Sequence, residues 1–190
     1  MMYILGIMGS PRGGGNTDIL LDAALDAAAD EGAQTRKVMV STLDIHPCLE
    51  LYHCAVDGTC SIRDDMLPLY DEIVAADRLI LASPIFFYGL TSQAKAVVDR
   101  CQALWVRRHV LRSWHPDVDV RRGALIAVGA TRGTRLFDGT MLTARYFFNA
   151  VGMSFDEQLL IRGVDHKGQI LDFPQHVEEA RKLGRRLATQ

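Results

Sequence analysis

The residues with the clearest capacity for chemistry form a glycine-rich stretch near the start of the chain, residues 9–17 (GSPRGGGNT). An apolar run over residues 3–8 precedes it, and an amphipathic run over residues 18–29 follows it. A strand, a turn and a helix in this order leave the first N–H groups of the helix pointing into the turn, where they can bind an anion. The stretch therefore predicts a phosphate site.

Motif residues that are absent from the stretch exclude two classes of phosphate ligand. A nucleoside-triphosphate loop places Lys and then Ser or Thr after its last glycine, whereas Gly15 and Asn16 stand at the aligned positions. The dinucleotide fingerprint spaces its glycines G-x-G-x-x-G, and Gly6, Gly9 and Gly13 do not match that spacing. We therefore expect neither a triphosphate nor a dinucleotide at this turn.

The polar residues of the stretch suit a single phosphate monoester. Ser10, Asn16 and Thr17 offer hydrogen-bond donors, and Arg12 supplies a positive charge. The N-terminus of the following helix adds roughly +0.5 charge. The alternative is a plain loop in which Asn16 or Thr17 caps the helix.

The elements around this turn alternate between strand and helix. Apolar runs predict strands over residues 3–8, 35–40, 78–83, 124–128 and 155–161. Apolar residues at helical spacing predict helices over residues 18–29, 64–75, 91–105, 137–150 and 174–187. The order predicts one α/β domain over residues 1–190, with a parallel sheet, right-handed crossovers and helices on both faces.

Ligands bind such sheets beyond the carboxyl ends of the strands, which brings two further loops beside the turn. Residues 84–89 (PIFFYG) place three aromatic side chains and a glycine in a row, which suits a flat heteroaromatic ring. Residues 129–135 (GATRGTR) add flexible backbone and polar donors. A monophosphate at one end and a flat ring at the other describe a mononucleotide-like cofactor, and FMN fits best. Alternatively, the aromatic residues close the sheet edge or form a subunit contact.

Composition argues against several other classes of protein. The chain is 48% hydrophobic and 23% charged with a formal net charge of −2, which gives no electrostatic case for a nucleic-acid or membrane partner. No apolar run approaches the roughly 20 residues of a spanning helix, and no basic flank marks a secretion signal. We expect a cytoplasmic protein. The arginines near the middle of the chain are interpreted as solvated charges at a helix end: Arg107, Arg108, Arg112, Arg121 and Arg122.

Together these motifs resemble the flavodoxin-like NAD(P)H-dependent FMN reductases, in the branch that includes iron–sulfur flavoproteins. The resemblance rests on residues 9–12 (GSPR) with Asn16 and Thr17, on residues 83–91 (SPIFFYGLT), and on Lys95 with residues 99–100 (DR). It runs over most of the chain and implies a three-layer sandwich with a five-stranded parallel sheet of order 2-1-3-4-5, and non-covalent FMN. The residues it places around the phosphate are Ser10, Arg12, Gly14, Asn16 and Thr17. The residues it places around the ring are Pro84, Ile85, Phe86, Phe87, Tyr88, Gly89, Thr131, Arg132 and Gly133.

The resemblance implies an oxidoreductase that passes electrons from NAD(P)H through bound FMN to a quinone, a flavin or another small acceptor. The cofactor carries this chemistry, so no catalytic side chain is assigned. Arg132 and Arg135 are candidates for the phosphates of the nicotinamide dinucleotide. The alternatives are a flavoprotein electron carrier that docks a redox partner, and a non-redox module on the same sheet. The family also implies a homodimer or homotetramer, with Trp105 and Trp114 as candidate contact residues.

The cysteines separate into a loop group and a core residue. Cys101 falls on the apolar face of the predicted helix over residues 91–105 and is expected to pack, whereas Cys48, Cys54 and Cys60 share one loop. Iron–sulfur members carry four cysteines in this loop, and Leu51 stands where one of them belongs. A cubane cluster needs a ligand on each iron. The alternatives are a cluster completed by His46 or His53, a zinc site completed by histidine, and loop packing without metal; we assign no metal ligand.

Overall fold

The computed structural model describes residues 1–189, and its centre is a twisted parallel sheet. The strands are β1 (Tyr3–Met8), β2 (Gln34–Met39), β3 (Arg78–Pro84), β4 (Arg122–Gly129) and β5 (Ser154–Arg162). Their order across the sheet is β2-β1-β3-β4-β5, and every neighbouring pair is parallel. The central strands are buried along almost their whole length because helices cover both faces. The predicted sheet order is confirmed.

Seven helices connect and cover the strands within residues 1–189. They are α1 (Asn16–Asp30), α2 (Cys54–Asp57), α3 (Met66–Ala75), α4 (Ser92–Arg100), α5 (Gln102–Trp105), α6 (Asp138–Ala150) and α7 (Pro174–Thr189). Alternate residues of β3 divide between two cores, because successive side chains of a strand point to opposite faces. Leu79 and Leu81 join the core under α3 to α6, and Ile80 joins the core under α1 and α7. None of the helices in the described residues has the length and apolarity needed to cross a bilayer.

The helix predicted over residues 91–105 is interrupted at Cys101. The Cys101 N–H is shared between the carbonyls of Val97 and Val98, each at 3.1 Å, so the regular hydrogen-bond pattern breaks and α5 follows as a separate turn. The chain then widens into a π-helical turn over Val106–Val110. Cys101 is itself fully buried, which confirms its predicted packing role. Burial also raises the pKa of its thiol.

Arg121 lies inside the protein, and its interpretation as a solvated charge is wrong. Its guanidinium donates to the carbonyls of Ile73 (2.8 Å) and Ala76 (3.1 Å), at the end of α3, and of Val151 (2.8 Å), just after α6. Helix C-termini leave carbonyls without intrahelical partners, and Arg121 satisfies them here. Burial lowers its pKa to about 10. The sequence does not reveal this role, since it depends on where two helices end in space.

Candidate functional site at the carboxyl edge of the sheet

The glycine-rich turn connects β1 to α1 at the carboxyl edge of the sheet. Gly15 is the N-cap residue of α1, with an extended backbone and no side-chain cap. Gly9 N–H donates to the Ala82 carbonyl at 2.7 Å, which fixes the start of the turn against β3. A Cβ on Gly9 would lie 2.6 Å from the Ala94 Cβ, so only glycine allows the turn to approach α4 this closely. The start of the turn is therefore fixed between β3 and α4, whereas residues 11–14 are exposed.

A cavity of about 100 Å³ opens beside this turn. It brings together seven of the predicted site residues: Ser10, Arg12, Asn16, Thr17, Pro84, Ile85 and Phe86. The remaining predicted residues lie outside its lining: Gly14, Phe87, Tyr88, Gly89, Thr131, Arg132 and Gly133. The lining residues that the sequence reasoning missed are Pro11, Gly15, Val128, Ala130, Val164, Asp165 and Lys167. The last three follow β5, and the rule that ligands bind beyond the carboxyl ends of strands would have found them.

The turn is held in shape by its own polar groups. The Arg12 N–H donates to Ser10 Oγ at 3.1 Å, and the Gly14 N–H donates to Asp18 Oδ2 at 2.7 Å. The Asp18 carboxylate also pairs with Lys37 Nζ at 2.8 Å. Gly14 has a φ of +67°, a left-handed conformation that glycine adopts without steric cost. These bonds preorganise the turn and leave the Arg12 guanidinium available to a ligand.

The Asn16 side chain has a role that the sequence did not indicate. It is 8% exposed, and it does not cap α1, because Gly15 occupies the N-cap position. Its Nδ2 donates to the His166 carbonyl at 2.9 Å, and its Oδ1 accepts from the Ile170 N–H at 3.1 Å. The amide therefore fastens the chain after β5 to the first turn of α1. The contact predicted between Asn16 and a phosphate stays a prediction. Because the side-chain amide bonds to the chain after β5, the donor left for that contact is the backbone N–H of Asn16.

The aromatic loop forms a tight hairpin at the rim of the cavity. Phe86 and Gly89 exchange two backbone hydrogen bonds, both 3.0 Å long. The two residues between them, Phe87 and Tyr88, have φ values of +49° and +64°. A left-handed conformation costs a residue with a Cβ roughly 1–2 kcal/mol, and such strain is concentrated at functional sites. The Phe87 side chain is fully exposed, so it packs against nothing in its own chain.

The third predicted loop leads from β4 toward α6 and is hydrogen-bonded to the residue that follows β5. The Gly163 N–H donates to the carbonyls of Gly129 (2.8 Å) and Thr131 (3.2 Å). The Arg132 guanidinium lies over Gly163, where a Cβ would come within 2.7 Å of its central carbon. Arg135 is exposed and pairs with Asp138 at 2.8 Å. The loop therefore flanks the cavity at its β5 side.

A separate, larger cavity of about 690 Å³ lies between the cysteine loop and α5. Cys48, Cys54 and Cys60 line it together with Leu51. Burial, followed by the neighbouring thiols, raises the pKa of Cys54. Residues 1–189 contain no group of three or more His, Cys, Asp or Glu side chains arranged to hold a metal ion. With leucine at the fourth position, these residues do not fit a four-thiolate iron–sulfur cluster.

The sheet order, with a glycine-rich turn where the strand order reverses between β1 and β3, defines a flavodoxin-like α/β protein. Residues 2–153 match the family model of NADPH-dependent FMN reductases, and the chain belongs to that family.

The relatives agree with this assignment. The chain is 36% identical to an iron–sulfur flavoprotein of Methanocaldococcus jannaschii over 69% of its own length and 64% of the relative's, just under two thirds. It is 28% identical to a putative NAD(P)H-dependent FMN-containing oxidoreductase of Bacillus subtilis, over 97% of this chain and 98% of that one. The fold is similar to that of an NAD(P)H:quinone oxidoreductase from Methanothermobacter marburgensis, with a TM-score of 0.73, 14% identity and 98% coverage of both chains.

Proposed function

We propose that the protein binds FMN at the carboxyl edge of the sheet and transfers electrons from NAD(P)H to a quinone, a flavin or another small acceptor. The observation that carries this proposal is that one cavity joins the two ends of such a ligand. Ser10 and Arg12 border it on the phosphate side, and Ile85 and Phe86 border it on the ring side. The family, and the name of the Bacillus subtilis relative, support the same activity.

The residues present fit a flavin mononucleotide. The phosphate would be held by the Ser10 hydroxyl, by the Arg12 guanidinium and by the N–H groups at the start of α1. The ring would lie against residues 84–89, and residues 131–133 are beside that loop, since a Cβ on Gly133 would lie 3.5 Å from the Tyr88 hydroxyl. When bound, FMN supplies two-electron transfer between a reduced nicotinamide and an acceptor.

The chain itself would position the FMN and leave it accessible to a nicotinamide and an acceptor. The turn is preorganised by the bonds of Gly9, Gly14 and Asp18, so binding requires little ordering of this part of the backbone. The exposed hairpin leaves the rim open, so that a nicotinamide and an acceptor can use the same face in turn. Arg132 and Arg135 are our candidates for the phosphates of the dinucleotide, because both lie in the loop at this rim.

A second candidate function is an electron carrier that docks a protein partner. The joint exposure of Phe86, Phe87 and Tyr88 at the rim favours it, because a contiguous patch of exposed apolar side chains is typical of an interaction site. We also propose that copies of the chain associate through the groove that Trp105, Leu142 and Tyr146 line. Trp114 is less suited to that contact, since the Arg121 guanidinium covers its ring at 5.4 Å. Sizing chromatography of the wild type and of Tyr146→Ser tests the association.

Flavin titration of the purified protein tests the main proposal. We expect the protein to quench FMN fluorescence, and NADPH or NADH to bleach the bound flavin and to support turnover of a soluble quinone. Arg12→Gln should weaken FMN binding, whereas Arg181→Gln, an exposed charge on α7, should not. Bleaching without quinone turnover would favour the carrier. A protein that binds no flavin would contradict both functions.

A further inference from the structure

The chain after β5, here called the 164–170 segment, closes one side of the phosphate cavity. Val164, Asp165 and Lys167 line the cavity with the glycine-rich turn. Lys167 lies over Gly14, where an added Cβ would be 3.5 Å from Lys167 Cε and 3.7 Å from Nζ. The ammonium group is therefore next to the turn that the proposed function assigns to phosphate.

The segment is held firmly in this place. The Asn16 side chain makes three hydrogen bonds to it, at the carbonyls of Asp165 (3.5 Å) and His166 and at the Ile170 N–H. The Gln169 side chain accepts from the Asp165 N–H at 2.9 Å, which fixes the segment internally. Ile170 is fully buried in the core under α1 and α7. Lys167 consequently projects from a backbone fastened at both ends.

The positive charges around the cavity favour a ligand that carries two negative charges. Within residues 1–189, neither Arg12 nor Lys167 enters an ion pair. Two unpaired cations beside a helix N-terminus match the two charges of a phosphate monoester near neutral pH better than one cation does. The Asp165 side chain, which is exposed, offsets part of this positive charge.

We infer that Lys167 is a second phosphate-binding cation that selects phosphorylated flavin over riboflavin, and that Asn16 is the positioning residue that places it there. This inference rests on the proposed function. Lys167 acts on the charge of the ligand, so its loss should affect FMN and spare riboflavin. Asn16 acts through the segment, so its effect should depend on Lys167.

Equilibrium titrations with FMN and with riboflavin, followed by flavin fluorescence, test the inference. We expect Lys167→Gln to weaken FMN binding about tenfold, as for one lost charge-assisted hydrogen bond, and to leave riboflavin binding unchanged. Lys182→Gln removes the same charge from the exposed face of α7 and serves as the matched control. Asn16→Ala should also weaken FMN binding, and adding Lys167→Gln to it should cost much less than tenfold.

The results that overturn the inference are distinct from those that overturn the proposed function. Equal losses for FMN and riboflavin in Lys167→Gln would mean that Lys167 acts through the fold, and no loss would mean that it does not reach the phosphate. Fully additive effects of the two substitutions would remove the positioning role of Asn16. In all these cases wild-type FMN binding would stand. A wild type that binds neither flavin would instead refute the proposed function, and this inference with it.

Discussion

The ion pair between Asp64 and Arg100 attaches the cysteine loop to α4, and Arg100→Met removes it. Both side chains are 0% exposed. Arg100 donates to the two carboxylate oxygens at 2.6 and 3.1 Å, and to the His46 carbonyl at 2.9 Å. The carboxylate also accepts from the N–H groups of His46 (2.9 Å) and Met66 (3.1 Å). The substitution therefore leaves a buried carboxylate without its cation.

The burial of both side chains determines how much the free energy of unfolding should fall in Arg100→Met. Removing one partner of a buried, hydrogen-bonded pair costs about 3–5 kcal/mol, because the remaining charge stays desolvated. With a urea m-value of about 2 kcal/mol/M, the midpoint of unfolding should fall by about 2 M. Lys95→Met is the matched control on the same helix, since it breaks a 2.7 Å pair with Asp99 in which the lysine is 49% exposed. That change should cost less than about 0.5 kcal/mol.

The dependence of the free energy of unfolding on pH gives a second measurement. Burial opposes ionisation of Asp64, but the hydrogen bonds from Arg100 and from two backbone N–H groups outweigh it and lower the pKa of the carboxyl group. A lowered pKa in the folded state stabilises the fold above the ordinary Asp value of about 3.9, and this stabilisation is lost as the pH falls through the folded value. The difference between wild type and Arg100→Met should therefore be largest near neutral pH and shrink in acid.

Urea unfolding at several pH values would decide the matter. If Arg100→Met stayed within about 1 kcal/mol of Lys95→Met, the buried pair would contribute no more stability than the exposed one, contrary to this expectation. If Arg100→Met does not fold, Asp64→Asn keeps the shape and removes the charge. That variant leaves the buried Arg100 cation unpaired, so it should lose about 3 kcal/mol, the lower end of the same range, because the oxygen of the new side-chain amide can still accept from Arg100. Its loop thiols should react faster with a thiol reagent than those of the wild type.

Three further predictions concern packing, thiol access and backbone strain. Gly184→Ala should lower the free energy of unfolding by about 1–3 kcal/mol or more, because the new Cβ would lie 1.9 Å from the Ala24 carbonyl oxygen and push α7 from α1; urea unfolding measures this. Cys101 should react with a thiol reagent only in denaturant, since it is fully buried, whereas the exposed Cys48 should react in the native protein. Phe87→Gly should raise the free energy of unfolding by up to about 1 kcal/mol, because it relieves a φ of +49° without removing a packed side chain.

A different result in any of these three experiments would contradict the physical reason given for it. Gly13→Ala is the control for Gly184→Ala, because its Cβ would meet only the Met39 side chain at 3.6 Å; equal stability of the two variants would contradict the packing argument. Rapid native-state labelling of Cys101 would show that the core around α4 and α5 opens. A marked loss of stability in Phe87→Gly would mean that the ring packs within the protein.

Local sequence patterns were sufficient to predict an element where its structure depends on the residues of that segment alone. Strands buried on both faces need continuous apolar runs, so β3 and β4 were recognisable, and their alternation with helices predicted a parallel sheet. The strand order was predicted by the family resemblance and not by these patterns. Patterns failed where a contact depends on a distant partner. The interruption at Cys101 and the burial of Arg121 both follow from how the helices end and pack, which periodicity does not encode.

By itself, the sequence determined the glycine-rich turn and the strand-to-helix step that makes an anion site, because both depend on residues adjacent in the chain. It also brought the aromatic loop to the same edge through the topology rule for parallel sheets. Only the tertiary structure decided that the Asn16 amide serves the 164–170 segment and that Lys167 reaches Gly14. Asn16 and His166 are 150 residues apart in sequence, and they meet because β5 ends beside the start of α1.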